Sequence, residues 1–242
     1  MSMFGLALRA LLLRGRTLGL ALLPLLVGIV ALAIALTADP EDLEGVYATL
    51  GADLLVSLVI ALVALVLGVN AFDDEREGGT LPLLMATSTA RWRIVGAKLA
   101  AAWISTVLVC VPAVVGCGVL GSRAGLDAGQ VWGSLVVAAT ASSAGYVALF
   151  VVLSLLSRRG LLIGLTYVLV WEGLLATYAT ALKNLSVGAY GRRILGAPWS
   201  TDAVPFQAAD VGTVAAAALL VGLSAVGAVV AARRLPHVNA TG

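Results

Sequence analysis

Six stretches of this chain run for 19 to 30 residues with no Lys, Arg or Asp, and five of the six have no Glu either. They are residues 17–38, 54–72, 99–122, 128–157, 160–182 and 211–232, and the one carboxylate inside them is Glu172. Little else constrains a fold so tightly. About 20 apolar residues cross the hydrocarbon core of a bilayer as a helix. Inside that core each backbone N–H and C=O needs an internal partner, which leaves helices as the spanning form for such runs. The expectation is an all-α polytopic membrane protein with six transmembrane helices, residues 1–242 forming a single transmembrane domain. The fourth run exceeds what a bilayer needs and is expected to be long or tilted. The first is long enough to span and lacks a convincing small-residue cleavage site, so it reads as a retained span rather than a signal peptide.

Charge supports the same reading. Only 12% of the residues are charged, where a soluble domain carries about a quarter. The net charge of +2 is too small to imply a nucleic-acid partner. Between the runs, Lys and Arg fall unevenly. Arg9, Arg14, Arg16, Arg76, Arg91, Arg93, Lys98, Arg158, Arg159, Arg233 and Arg234 belong to one side, and Arg123, Lys183, Arg192 and Arg193 to the other. The positive-inside rule makes the richer side cytoplasmic, with both termini inside. The first outer loop, Asp39-Pro40-Glu41-Asp42-Leu43-Glu44, is acidic and agrees. Residues 1–16 fit an amphipathic helix on the inner leaflet, or equally a basic flank to the first span.

The largest inner loop, residues 73–98, opens with Asp73-Asp74-Glu75-Arg76-Glu77. Gly78-Gly79 breaks the helix there. Thr80 can cap a new one with Pro82 in its first turn, and Leu81, Leu83, Leu84 and Met85 make it short and apolar. A second helix begins near Ala90 and carries Arg91, Trp92, Arg93 and Lys98 into the third span. Apolar residues on a short cytoplasmic helix call for a partner surface or the inner leaflet.

The stretch DEREGGTLPLLMATSTARWRIVGAK resembles the loop between the second and third spans of the ATP-binding-cassette type-2 permeases, which have the type V exporter fold. The resemblance extends to six spans, cytoplasmic termini, an amphipathic first helix and Trp-Glu-Gly-Leu-Leu at 171–175, and so covers nearly the whole chain. Ser88 departs from it, since many members carry Pro after Ala-Thr. The resemblance implies that residues 73–98 form a coupling helix docking in a separate ATPase subunit. Glu75, Arg76, Glu77, Gly79, Thr80, Leu83 and Leu84 would make that contact. It implies re-entrant outer helices within residues 183–210, between the fifth and sixth spans, acting as an outer gate. It also implies two ATPase copies that carry the ATP and Mg, a second permease chain, identical or related, and a bacterial plasma (inner) membrane.

Three outer or intramembrane residues attract attention as gating or pathway candidates. Glu172 is costly inside a bilayer and functional by default. It is expected either to line a cavity or to be satisfied by Tyr167, Thr177 or a neighbouring helix. Tyr190 and Trp199 suit a membrane interface. Gly125, Gly129 and Gly133 are spaced for close helix packing. Cys110 and Cys117 stand about 10 Å apart along one helix, too far for a disulfide.

Enzyme signatures are missing. The chain has no Gly-rich phosphate loop, a single histidine, His237, and no Gly-x-Ser-x-Gly. No catalytic residue, metal site or cofactor is expected on it. The leading reading is the membrane subunit of an ATP-driven exporter of a hydrophobic or amphiphilic substrate. A second is a mechanical transmitter powering an extracytoplasmic maturation or assembly partner. A third, an ion-coupled carrier using Glu172, is weakened by the lack of a visible inverted repeat.

Overall fold

In the computed structural model, residues 15–77, 91–157, 159–175, 184, 186–199 and 204–234 are described. Among them the structure is helical with no strand. Five helices are long and apolar enough to cross a membrane: Gly19–Thr37, Pro40–Phe72, Trp92–Arg123, Ala128–Leu156 and Thr213–Arg234. A shorter apolar helix, Gly160–Gly173, stands where residues 160–182 are expected to span. Residues 176–183, and residues 1–14 of the segment 1–16 expected to form an inner-leaflet helix, lie outside the described residues.

We number the helices α1 (Gly15–Thr37), α2 (Pro40–Ala48, Thr49–Val59 and Ile60–Glu77, one continuous helix), α3 (Arg91–Arg123), α4 (Ala128–Leu156), α5 (Gly160–Thr166 continuing through Tyr167–Leu175), α6 (Val187–Leu195) and α7 (Thr213–Arg234). The second span departs most from expectation. The acidic segment from Asp39 is not a loop: Pro40 starts a helix there, with Glu41 and Asp42 in its first turn. Pro fits the first helical position because its missing N–H has no partner there anyway. Carboxylates in the first turn are favoured by the helix dipole. The helix therefore begins at Pro40, well before the Leu54 that follows the Asp53 boundary. Pro40–Phe72 holds 33 residues, roughly 50 Å at about 1.5 Å each, against a core of about 30 Å. The charged run from Asp73 cannot enter that core, so the excess length lies at the Pro40 end.

Two segments of this fold wind as π-helix, Thr49–Val59 in α2 and Tyr167–Leu175 in α5. Stretches of 11 and 9 residues are unusual, because π turns mostly occur singly and often at functional sites.

Burial ranks the helices. The apolar window of α2 is 72% buried, while those of α1 and α7 are 28% and 22% buried. So α2 is central, and α1 and α7 turn Leu22, Leu26, Ile29, Val221 and Val226 outward, as lipid-facing helices do. α1 lies on α3 and α7 on α4, while α4 also packs on α2 and α3. The α1–α3 crossing is made of backbone. A side chain added at Gly28 would strike the Pro112 carbonyl, and one at Gly116 would strike the Gly28 carbonyl. Glycine permits this approach. Gly125, Gly129 and Gly133 do not serve that purpose. Gly125 sits at φ +81 in the turn before α4, and a Cβ added at Gly133 would meet nothing within 4 Å. Cys110 and Cys117 are free and buried.

Candidate functional site: a buried polar cluster around α6

Residues 186–195 carry a helix start that is legible locally. Ser186 is extended, and its side chain accepts the Ala189 N–H at 3.0 Å, which satisfies one of the free donors of a helix N-terminus. The following apolar and small residues bury α6 on nearly all sides: Val187, Ala189, Ile194 and Leu195 are in the core. α6 packs against α4, α7 and the π-helical stretch of α2. Gly191 lets α6 close on Ser142 and Val56.

Glu172 is 1% exposed and reaches this N-terminus from α5. Its Oε1 accepts the Tyr167 hydroxyl at 2.9 Å and the Gly188 N–H at 3.3 Å. Its Oε2 accepts the Ser186 hydroxyl at 2.5 Å. A carboxylate at a helix N-terminus also meets the positive end of the dipole. Tyr167 and a neighbouring helix are among the partners expected for Glu172. Thr177 lies outside the described residues. The point where a Cβ would stand on Gly188 is surrounded by oxygens from three other helices: Glu172 Oε2 at 2.7 Å, Tyr146 Oη at 2.9 Å and Ser57 Oγ at 3.1 Å.

The last turn of α6 is held by α2. Arg192, also 1% exposed, donates from Nη1 to Ser57 Oγ at 3.1 Å and lies 3.6 Å from Asp53 Oδ1. The Asp53 side chain is 53% exposed. Nε and Nη2 of Arg192 are buried without a hydrogen-bond partner among the described residues. Sequence reasoning misses both ends of this link. It treats Asp53 only as a span boundary, which leaves Glu172 as the one carboxylate deep in an apolar helix. It treats Arg192 as an outer-loop charge, whereas Arg192 is buried in a helix. The signal that could find it is the Ser186 cap followed by apolar positions on every side of Arg192.

Trp199 holds the segment after α6. Its ring stacks on Tyr47 of α2 with centroids 5.5 Å apart, meets Phe206 edge-on at 5.6 Å, and its Nε1–H donates to Glu44 at 2.6 Å. Tyr190 stays apart from the Glu172 cluster and donates to the Asn184 carbonyl at 2.6 Å. Trp199→Ala is expected to cost about 1–2 kcal/mol, the worth of an aromatic pair and a solvent-exposed hydrogen bond. Thermal unfolding in detergent measures it, and an unchanged midpoint would contradict the anchoring role.

At the opposite end of α2, Lys98 of α3 donates to the Ala71 carbonyl and its ammonium lies 4.8 Å from the centre of the Phe72 ring. These contacts tie together the two ends of the 73–98 loop. Glu75, Arg76 and Glu77 stand in the last turn of α2. Gly79, Thr80, Leu83 and Leu84 lie outside the described residues.

Residues 14–190 match the family model described as ABC-2 family transporter protein. The chain belongs to the ABC-2 transporter family. No curated protein matches it. Among its described residues no group of three or more His, Cys, Asp or Glu could hold a metal ion. ABC-2 membership and the apolar helices make it a multi-pass membrane protein of an ABC transporter, a class of membrane subunit that associates with an ABC ATPase. The Glu172 cluster falls inside the ABC-2 match, which ends at residue 190, while Arg192 and Trp199 fall beyond it.

Proposed function

We propose that this chain is the permease subunit of an ATP-driven exporter, coupling hydrolysis on a separate ATPase to export of a hydrophobic or amphiphilic substrate. The observation that carries this reading is the continuity of α2. One helix runs from Asp53 and Ser57, beside α6, to Glu77 at the start of the 73–98 loop. A push on that loop therefore reaches α6 through a single rigid element, with Lys98 keeping α3 in step. In this reading both termini and the loop are cytoplasmic, and residues 183–210, which include α6, form the outer gate. Two ATPase copies supply ATP and Mg below a pair of permease chains in a bacterial inner membrane. Glu75, Arg76, Glu77, Gly79, Thr80, Leu83 and Leu84 form the ATPase contact, charges setting register and leucines supplying the anchor.

Leu84→Asp is expected to abolish coupling. A carboxylate replaces an apolar anchor, and a single anchor can carry 2 kcal/mol or more, about thirtyfold in affinity. Co-purification with the ATPase, followed by ATP turnover in nanodiscs with and without candidate amphiphiles, measures the effect. Undiminished binding and stimulated turnover in Leu84→Asp would sink the assignment of that loop.

A further inference from the structure

The two π-helical stretches both carry side chains that converge on α6. Glu172 and Tyr167 belong to one, Asp53 and Ser57 to the other. Each stretch also contains a side-chain hydrogen bond between residues five apart. Tyr167 Oη donates to Glu172 Oε1, and Ser57 Oγ donates to the Ala52 carbonyl at 3.0 Å. On an α-helix residues five apart point about 140° away from each other. On the wider π turn they come within about 50°. The Tyr167–Glu172 bond therefore belongs to the π register of α5. Tightening five residues from π to α would turn the last of them by about a quarter turn. That rotation would carry Glu172 off Ser186 and Gly188.

We infer that the Tyr167–Leu175 stretch of α5 is a two-register lock on α6. In the π register Glu172 caps α6 and fixes its N-terminus. In the α register Glu172 turns away and the N-terminus of α6 loses that hold. The π winding is uncommon without support, and here the support is the set of bonds that the lock itself makes. The two states are thus linked: bonds from Tyr167, Ser186 and Gly188 hold the π register, and the π register aims Glu172 at them. The far end of α6 is held separately, by the Arg192 contacts with Ser57 and Asp53 and by the burial of Ile194 and Leu195, so the lock acts on the N-terminal end.

The lock is tested without any ATPase, by hydrogen exchange of the full chain in nanodiscs. Tyr167→Phe keeps the ring against Phe150, 6.1 Å between centroids, and removes only the hydroxyl that ties Glu172 to the π turn. Exchange of amides 187–195 should rise about five- to tenfold, with α4 unchanged. Glu172→Gln should raise it as well. The double variant should add little to the larger single effect, because both act through one contact. Additive effects, unaltered exchange at 187–195, or a uniform rise across all helices would overturn the lock. If Tyr167→Phe does not fold, Glu172→Asp answers the same question. Its shorter carboxylate cannot keep all three bonds, and wild-type exchange in α6 would again overturn the proposal.

Discussion

Gly116→Leu is expected to cost about 3 kcal/mol or more, at the upper end of what overpacking a core does. At Gly116 the obstacle is the Gly28 backbone, not a side chain that could rotate away. The only relief is to move α1 off α3, and that crossing is the main seat of α1, whose window is 28% buried. Gly28→Leu meets the Pro112 carbonyl at the same crossing and should cost about as much. The double variant should fall well short of the sum, because one separation of the helices relieves both clashes. Unfolding in mixed detergent reads all three. A Gly116→Leu midpoint equal to the parent's would contradict the backbone-to-backbone crossing.

Glu172→Ala should be the most damaging polar substitution among the described residues. It strands the Tyr167 hydroxyl, the Ser186 hydroxyl and the Gly188 N–H in a site where Glu172 itself is 1% exposed. Each interhelical bond inside a membrane protein is worth roughly 0.6–1.7 kcal/mol, and a buried group left unpaired costs about 1–3. A loss of about 2–4 kcal/mol follows. Glu172→Gln retains an acceptor and should recover about half of it. The same unfolding assay decides: a loss below about 0.5 kcal/mol would mean that these bonds do not hold α5 to α6.

These two sites differ in how legible they are in the sequence. Glu172 announces itself, as a carboxylate in an apolar run, and Tyr167 is among the partners expected for it. Its other partners, Ser186 and Gly188, are 14 and 16 residues away across a break in the helices. No periodicity joins them. The Gly28–Gly116 crossing is invisible among 27 glycines, and the spacing that invites attention, Gly125-Gly129-Gly133, makes no such crossing. A glycine's role depends on what lies opposite it, and that is a property of the packed pair of helices. Asp53 and Arg192 show the same limit from the electrostatic side. Charge counts treat every charged residue as solvated, so a buried guanidinium looks like any loop arginine.

What the sequence alone determined was the class of molecule. Long uncharged runs have one low-energy answer in a bilayer, because backbone polar groups must be paired within the segment. Five such helices are present among the described residues, and the motif block pointed to the family that the chain joins. Only the tertiary structure decided that α2 runs unbroken past Asp53, that α1 and α3 meet backbone to backbone, and that Glu172 and Arg192 hold opposite ends of α6. Those features arise from contacts between segments far apart in the chain. The π register of α5 is of the same kind: a winding costly by itself, held by partners that folding brings to it.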